Sequence, residues 1–545
     1  MRRGWSAVKV SRVRSSDPPT RPQYPFDAAP AAREGSKPIY TIDADTQVRI
    51  PMRDGVHLAA DVFRPAAPGR TFPALIAVSP YSRQLQRTEL PDGQNEAGIT
   101  EFWTPHGYAH VVVDVRGTNE SEGEWDHMGP LERRDLVDII EWVASQPWCD
   151  GRVGMTGESY FAWSQLMAAA ERPPHLAAVF AQCASVDLYR DRYYHGGILK
   201  RGVASWFSVL RELNGLRDDL SGLRRHQDAI LRMEHPFDGP YYQERLSWMR
   251  LDRVKIPTYV GGTWKHVSTH LRGAFEAWAG ITGVPKRMFV GPGPRPRKPM
   301  AAYHREALRW YDHHLKGMDT GVMEGPPIQL FIQGAERWRS EREWPIARTR
   351  WRELFLGGRP GAAARDLADT AGPDGEAVLR YEPASREAYL GGPALVYRTE
   401  PFEHDLEVTG PLALTLWLAS TATDTDVFAT IRDEAPDGGT REITKGWLRA
   451  SHRALDASRS KPWRPFHPHT ASEPLVPNEA YELAVEIWPM SNLFRAGHRL
   501  RLEIAACDDQ SDTSDAHQAV LLPATNRILE GRAHPSRLLV PTIPA

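Results

Sequence analysis

The chain has 545 residues, 41% hydrophobic and 25% charged, with a formal net charge of -2. That is the make-up of an ordinary globular protein large enough for two or three domains. No long Lys/Arg stripe is present, so neither nucleic acid nor an anionic membrane is expected as a partner. No run approaches the ~20 apolar residues of a membrane span. Ser, Arg and Pro follow Met1-Arg2-Arg3-Gly4-Trp5 where a secretory leader would be apolar, so a cytoplasmic location is expected.

Residues 1–40, rich in Pro, Ala, Ser and Arg, read as a flexible extension. Thr46 to Pro51 and Val56 to Phe63 read as an antiparallel pair around Arg53-Asp54-Gly55. Phe72 to Val78 is a buried strand ending at Ser79-Pro80-Tyr81. After a helical stretch through Phe102-Trp103, His110 to Val115 has the β-branched content of a central parallel strand. Leu131 to Ser145 carries apolar residues at helical spacing.

Val153-Gly154-Met155-Thr156 then leads into Gly157-Glu158-Ser159-Tyr160-Phe161-Ala162, and good helix formers follow. A strand, a tight turn with Ser at its apex and a helix is how an α/β-hydrolase presents its nucleophile. The generic Gly-x-Ser-x-Gly pattern is half met: Gly157 is in place, but Phe161 stands where the second Gly would be.

Ala177 to Ala181 continues the alternation, which predicts a doubly wound α/β sheet whose ligands bind at the carboxyl ends of the strands. Residues 193–250, helix-prone and without strand-like runs, read as a helical cap inserted over it. The sheet resumes at Ile256 to Val260 and Arg287 to Val290 and closes with a helix through Ala307 to Tyr311. These elements make a first domain of residues 41–320.

From residue 321 to 545 short alternating strands predict an all-β jelly-roll domain: Ile328 to Ile332, Leu412 to Trp417, Asp426 to Thr430, Tyr481 to Val485 and Arg499 to Ile504. Gly357 to Gly375, with its prolines, reads as a connection rather than a strand. Cys149, Cys183 and Cys507 lie far apart and read as buried thiols. His313-His314 and His467-Pro468-His469 lack supporting carboxylates or cysteines and read as exposed surface histidines, so no metal is expected. No Walker loop or dinucleotide fingerprint is present, and no cofactor is expected.

Taken together, Met52-Arg53-Asp54-Gly55, Pro80-Tyr81, Asp114-Val115-Arg116-Gly117-Thr118, Gln146-Pro147-Trp148, Gly157-Glu158-Ser159-Tyr160, Asp187-Leu188-Tyr189-Arg190 and Gly446-Trp447-Leu448-Arg449 resemble the CocE/NonD hydrolases. That family includes cocaine esterase, α-amino acid ester hydrolases and X-Pro dipeptidyl-peptidases. The resemblance implies Ser159 as acyl-forming nucleophile, with an oxyanion hole from the Tyr160 backbone N–H and the Tyr81 hydroxyl. Family elbows read Gly-x-Ser-Tyr-x-Gly, so Ala162 stands where Gly is common. The implied substrate is a small ester, amide or short peptide; a homo-oligomer is left open.

The rest of the expected triad departs from the pattern. The family places its Asp two residues after the Trp that follows a late strand, and here that position is His266, after Trp264-Lys265. The family His follows a Gly-Pro, but Gly291 to Pro299 contains none. Three readings stay open. A base could be relocated, to His266 ahead of His304; the chain could be a binding protein that kept the fold and lost catalysis; or this loop could align in another register. His270, one turn beyond His266, reads as structural.

Overall fold

Runs such as Ala74 to Val78 and Val111 to Val113 have no exposed face, and they form the centre of a ten-stranded sheet. The computed structural model describes residues 33–87, 96–215, 217–246, 248–265, 267–292, 303–358, 365–511 and 515–544. Most of the expected N-terminal extension therefore lies outside the described residues.

The strands of the first sheet are β1 (Ile42–Pro51), β2 (His57–Pro65), β3 (Phe72–Ser79), β4 (Ala109–Asp114), β5 (Cys149–Met155) and β6 (Leu176–Gln182). A two-residue hairpin, β7 (Tyr194–His195) and β8 (Ile198–Leu199), stands apart. β9 (Thr258–Thr263), β10 (Lys286–Gly291), β11 (Ile328–Ile332) and β12 (Arg337–Glu341) complete the sheet. Its spatial order is β1-β2-β4-β3-β5-β6-β9-β10-β11-β12. β3 through β6 and β9 through β11 run parallel, with antiparallel strands at both edges.

Successive residues of a strand face opposite layers. Of the helices α1 (Thr100–Trp103), α2 (Pro130–Ala144), α3 (Tyr160–Glu171), α4 (Gly202–Leu213), α5 (Ser221–Leu231), α6 (Pro240–Gln243), α7 (Arg272–Gly280) and α8 (His304–Lys316), α2 and α3 cover the core that Val179 and Ala181 join, whereas Ala178 and Phe180 face Trp310 and Tyr311 of α8. Between β6 and β9 the alternation gives way to helices at Gly202–Leu213 and Ser221–Leu231. They dock on loops at the carboxyl edge: the Asn119 amide binds the Asn214 side chain, and Gly222 packs on Trp125. The segment read as purely helical also contains β7 and β8, too short to leave a pattern in the sequence.

Eleven further strands from Arg350–Gly357 to Arg537–Ile543 form a second sheet. It closes on itself because Leu406–Ser420 pairs with three partners, Ala480–Phe494, Ala524–Glu530 and Arg537–Ile543. Leu412, Leu414, Leu416 and Leu418 point inward at period two.

Two sequence expectations are corrected here. Ile328–Ile332 belongs to the first sheet, parallel to β10, rather than to the β-domain. Within Gly357 to Gly375, Arg365–Ala368 is a strand paired with Phe355 to Gly357 and with Tyr397 and Arg398.

Buried polar groups join the two sheets. Arg190 binds Asp187 at 2.9 Å, Asp238 at 2.7 Å and the carbonyl oxygens of His467 and Pro468. His467 and His469 are buried, contrary to the surface reading; the two His467 ring nitrogens sit 3.0 and 2.7 Å from the Ala454 and Ala484 carbonyl oxygens. All three cysteines are buried free thiols. Among the described residues no three His, Cys, Asp or Glu side chains are grouped to hold a metal, and no helix is long and apolar enough to cross a membrane.

Candidate active site

β5 delivers the chain to a turn that only particular residues tolerate. Gly157 has φ +124°, and a Cβ there would lie 2.4 Å from Phe161 Cβ and 2.9 Å from the Glu96 carbonyl oxygen. Ser159 has φ 62° and ψ -120°, a strained conformation of the kind that costs roughly 1–3 kcal/mol and is held only by its surroundings. Those surroundings are specific. The Ser159 amide donates to the Gln182 carbonyl at the end of β6 (3.0 Å), and α3 begins at the next residue. This is the elbow geometry expected from the sequence. The Ser159 hydroxyl has no hydrogen-bond partner among the described residues.

Tyr160 opens α3, and its backbone N–H has no acceptor among the described residues, as is usual in a first helical turn. Its side chain is fully buried, and its hydroxyl donates to Glu132 (2.8 and 2.9 Å). The Met128 amide also donates to Glu132, yet burial dominates and pushes this carboxyl up to about 8.

Tyr81 lies two residues beyond β3, with its ring 6.3 Å from Tyr160 and 6.2 Å from Phe161. The Trp206 indole N–H donates to the Tyr81 hydroxyl oxygen at 2.9 Å. An indole N–H can only donate, so Tyr81 keeps its own hydrogen for another acceptor. The loop carrying Tyr81 is fixed by Arg83, which bonds Asp61 (2.9 Å), Asp114 and Glu120. Burial lifts Asp114 to about 7 despite that arginine.

The expected bases divide differently. His266 and residues 293–302 lie outside the described residues. His304 does not join the site. It is the first residue of α8, 3% exposed, stacked on Phe102 at 4.5 Å and edge-on to Trp103 at 5.2 Å. Burial depresses it to about 3, and no hydrogen bond links it to Ser159. Its sequence position favours a reach to the loop, but the aromatic surface of the opposite helical layer captures the ring. His270 is buried 3.0 Å from the Cys183 carbonyl; because a carbonyl only accepts, Nδ1 carries the hydrogen. That contact agrees with a structural role.

Sequence reading missed two residues that bond the side chains flanking the elbow: Trp206 and Glu132. Each reaches the elbow from a distant segment, and neither belongs to a local motif that would have marked it.

A parallel sheet with a serine elbow at its carboxyl edge, followed by a closed C-terminal β-domain, is the architecture of a hydrolase of the α/β class. Residues 54–294 match X-Pro dipeptidyl-peptidase (S15 family), and residues 320–539 match the X-Pro dipeptidyl-peptidase C-terminal non-catalytic domain. The chain thus carries the two domains of the X-Pro dipeptidyl-peptidase (S15) type and resembles the CocE/NonD hydrolases. It is 28% identical to cocaine esterase of Rhodococcus sp. (strain MB1 Bresler), over 91% of this chain and 98% of that protein. A putative Xaa-Pro dipeptidyl-peptidase of Streptomyces avermitilis is 23% identical, over 83% of this chain and 76% of its own length. A CocE/NonD family hydrolase from Staphylococcus aureus has a similar fold, with TM-score 0.83 and 23% identity over 92% of this chain and 94% of that one.

Proposed function

We propose that the protein is a serine hydrolase that cleaves a small ester or amide through an acyl-enzyme on Ser159. The observation carrying this reading is the strained Ser159 elbow set between the Tyr160 N–H and Tyr81. In the proposed reaction Ser159 Oγ attacks the substrate carbonyl carbon and gives up its proton to a base. The carbonyl oxygen becomes an oxyanion, which the Tyr160 N–H and the Tyr81 O–H stabilise. Collapse expels the alcohol or amine, which takes the proton, and water then releases the acid by the reverse sequence. We assign the base to His266, three residues in sequence beyond β9, a strand that ends at the same sheet edge as β5, since His304 is engaged elsewhere. Esterase and dipeptidyl-peptidase relatives support both ester and amide as substrate classes. The helices between β6 and β9 act as a cap on the site, and the closed β-domain is read as a jelly roll.

A second reading, a binding protein without turnover, draws on two observations. His occupies the position where family members carry Asp, and the Ser159 hydroxyl has no hydrogen-bond partner among the described residues. Hydrolysis of 4-nitrophenyl esters and of aminoacyl-prolyl anilides by wild type, Ser159→Ala and His266→Ala separates the two. Turnover abolished by Ser159→Ala supports the hydrolase. Wild-type rates equal to those of Ser159→Ala on every substrate overturn it.

A further inference from the structure

A cavity of about 370 Å³ lies between the segment that leads into α2 and the helices α5 and α6; Trp125, Leu131, His226, Ala229, Tyr241 and Arg245 are among the residues that line it. The exposed pair Arg225–Glu124 stands at its rim, and Arg245 bonds Asp126 there at 3.1 Å. Trp125 belongs to its buried side and is only 2% exposed.

Trp125 has a second set of neighbours. Its ring lies 5.0 Å from His127, 5.7 Å from Phe207 and 6.1 Å from Trp206, separations at which aromatic rings are in contact. Trp206 bonds the Tyr81 hydroxyl and stacks on Tyr160 at 6.2 Å. One indole thus borders the cavity and also packs on the aromatic shell that flanks the Ser159 elbow. Around Trp125 that shell is apolar: Phe207 and Trp206 are joined by His127, which burial holds neutral.

The backbone of this partition is clamped. A Cβ on Gly117 would lie 2.2 Å from the Trp125 nitrogen, and one on Gly222 of α5 would lie 2.8 Å from the Trp125 carbonyl oxygen. Two separate segments therefore press on the chain at this residue, and only the indole separates the cavity from the shell. Packed surroundings relax only partly around a truncated side chain, so removing the indole would join the two spaces.

We propose that Trp125 is a specificity-determining residue that closes an aromatic acyl-binding space beside Ser159 and restricts the substrate to short apolar acyl groups. The acyl side is chosen because a closed end suits the part of the substrate that stays on Ser159, whereas the leaving group must depart. This inference rests on the hydrolase reading of Ser159.

The test compares 4-nitrophenyl butyrate with 4-nitrophenyl octanoate, using wild type, Trp125→Ala and Trp125→Phe. Melting temperatures check that each variant is folded. Forcing extra methylenes against a packed wall costs about 5–150-fold, so wild type is expected to favour the butyrate in kcat/KM by at least about 10-fold. Trp125→Ala should abolish or reverse that preference, and Trp125→Phe should shift it part of the way; where Trp125→Ala does not fold, the Trp125→Phe ratio decides. Equal kcat/KM for the two esters in wild type, or a ratio unchanged in the folded variants, overturns the assignment.

Octanoate binding measured by calorimetry needs no turnover. Each newly buried methylene adds affinity, so Trp125→Ala should bind octanoate at least about 10-fold more tightly than wild type does, with butyrate affinity nearly unchanged. Equal octanoate affinity in the two proteins counts against the proposal. Turnover with an unchanged butyrate-to-octanoate ratio sinks the Trp125 role alone. Gained octanoate affinity without turnover in any form sinks the hydrolase alone.

Discussion

The Trp206 indole donates its hydrogen bond to the Tyr81 hydroxyl oxygen across 125 residues of sequence. Accepting that bond orients Tyr81 and polarises its O–H, which in the proposed reaction makes the hydroxyl a better donor to the oxyanion. Removal of an oxyanion donor costs about 10²–10³ in turnover, so Tyr81→Phe should lower kcat by that factor. Trp206→Phe keeps most of the ring and removes only the indole N–H. A lost neutral hydrogen bond predicts a smaller drop, about 5–10-fold, seen in kcat more than in KM. Equal losses from the two substitutions would contradict the assigned order of contacts.

Gly157→Ala places a methyl group against Phe161 Cβ and the Glu96 carbonyl at a φ that L-residues rarely adopt. The strain should destabilise the fold by about 1–3 kcal/mol or distort the elbow. Urea unfolding and ester turnover read these two outcomes. A variant with wild-type stability and wild-type turnover would show that the turn is not under the constraint described.

Glu132 predicts a dependence of stability on pH. Its carboxyl keeps its proton to about 8 in the folded protein, against an ordinary 4.5. The unfolded chain releases that proton first, so the contribution of Glu132 to stability falls as pH rises from about 4.5 to about 8. Glu132→Gln cannot titrate. Between pH 5 and pH 8 wild type should lose unfolding free energy relative to Glu132→Gln, as measured by urea denaturation at both pH values. A constant difference would contradict the raised value.

His517 joins the loop after Arg499–Ala505 to the β7–β8 hairpin through a buried chain: its Nδ1 lies 2.6 Å from Asp508 Oδ2, and its Nε2 lies 2.8 Å from His195 Nδ1. Both imidazoles are 1% exposed. His517→Ala leaves Asp508 and His195 without these partners, and an unsatisfied buried polar group costs about 1–3 kcal/mol. Thermal unfolding should show a lowered melting temperature. An unchanged one would mean that the chain adds nothing to the junction.

What the sequence makes legible follows the range over which each feature is determined. β4 declares itself because Val111-Val112-Val113 suits only a strand buried on both faces, and the elbow because Gly157 and Ser159 meet a local steric demand. Ile328–Ile332 is plainly a strand, but its pattern says nothing about which sheet accepts it, and the pairing with β10 is a tertiary outcome. Arg365–Ala368 is polar and flanked by turn residues, so nothing in it outweighs the loop composition. Trp206 acquires its contact with Tyr81 only once the helices after β6 fold back over the carboxyl edge of the sheet.

The most direct test of the central claim is intact-mass and peptide-mapping mass spectrometry after treatment with a fluorophosphonate, which phosphonylates an activated serine. A single adduct on Ser159 is expected, formed at a rate that His266→Ala reduces strongly and His304→Ala does not. An unmodified Ser159 in the folded wild-type protein would contradict it.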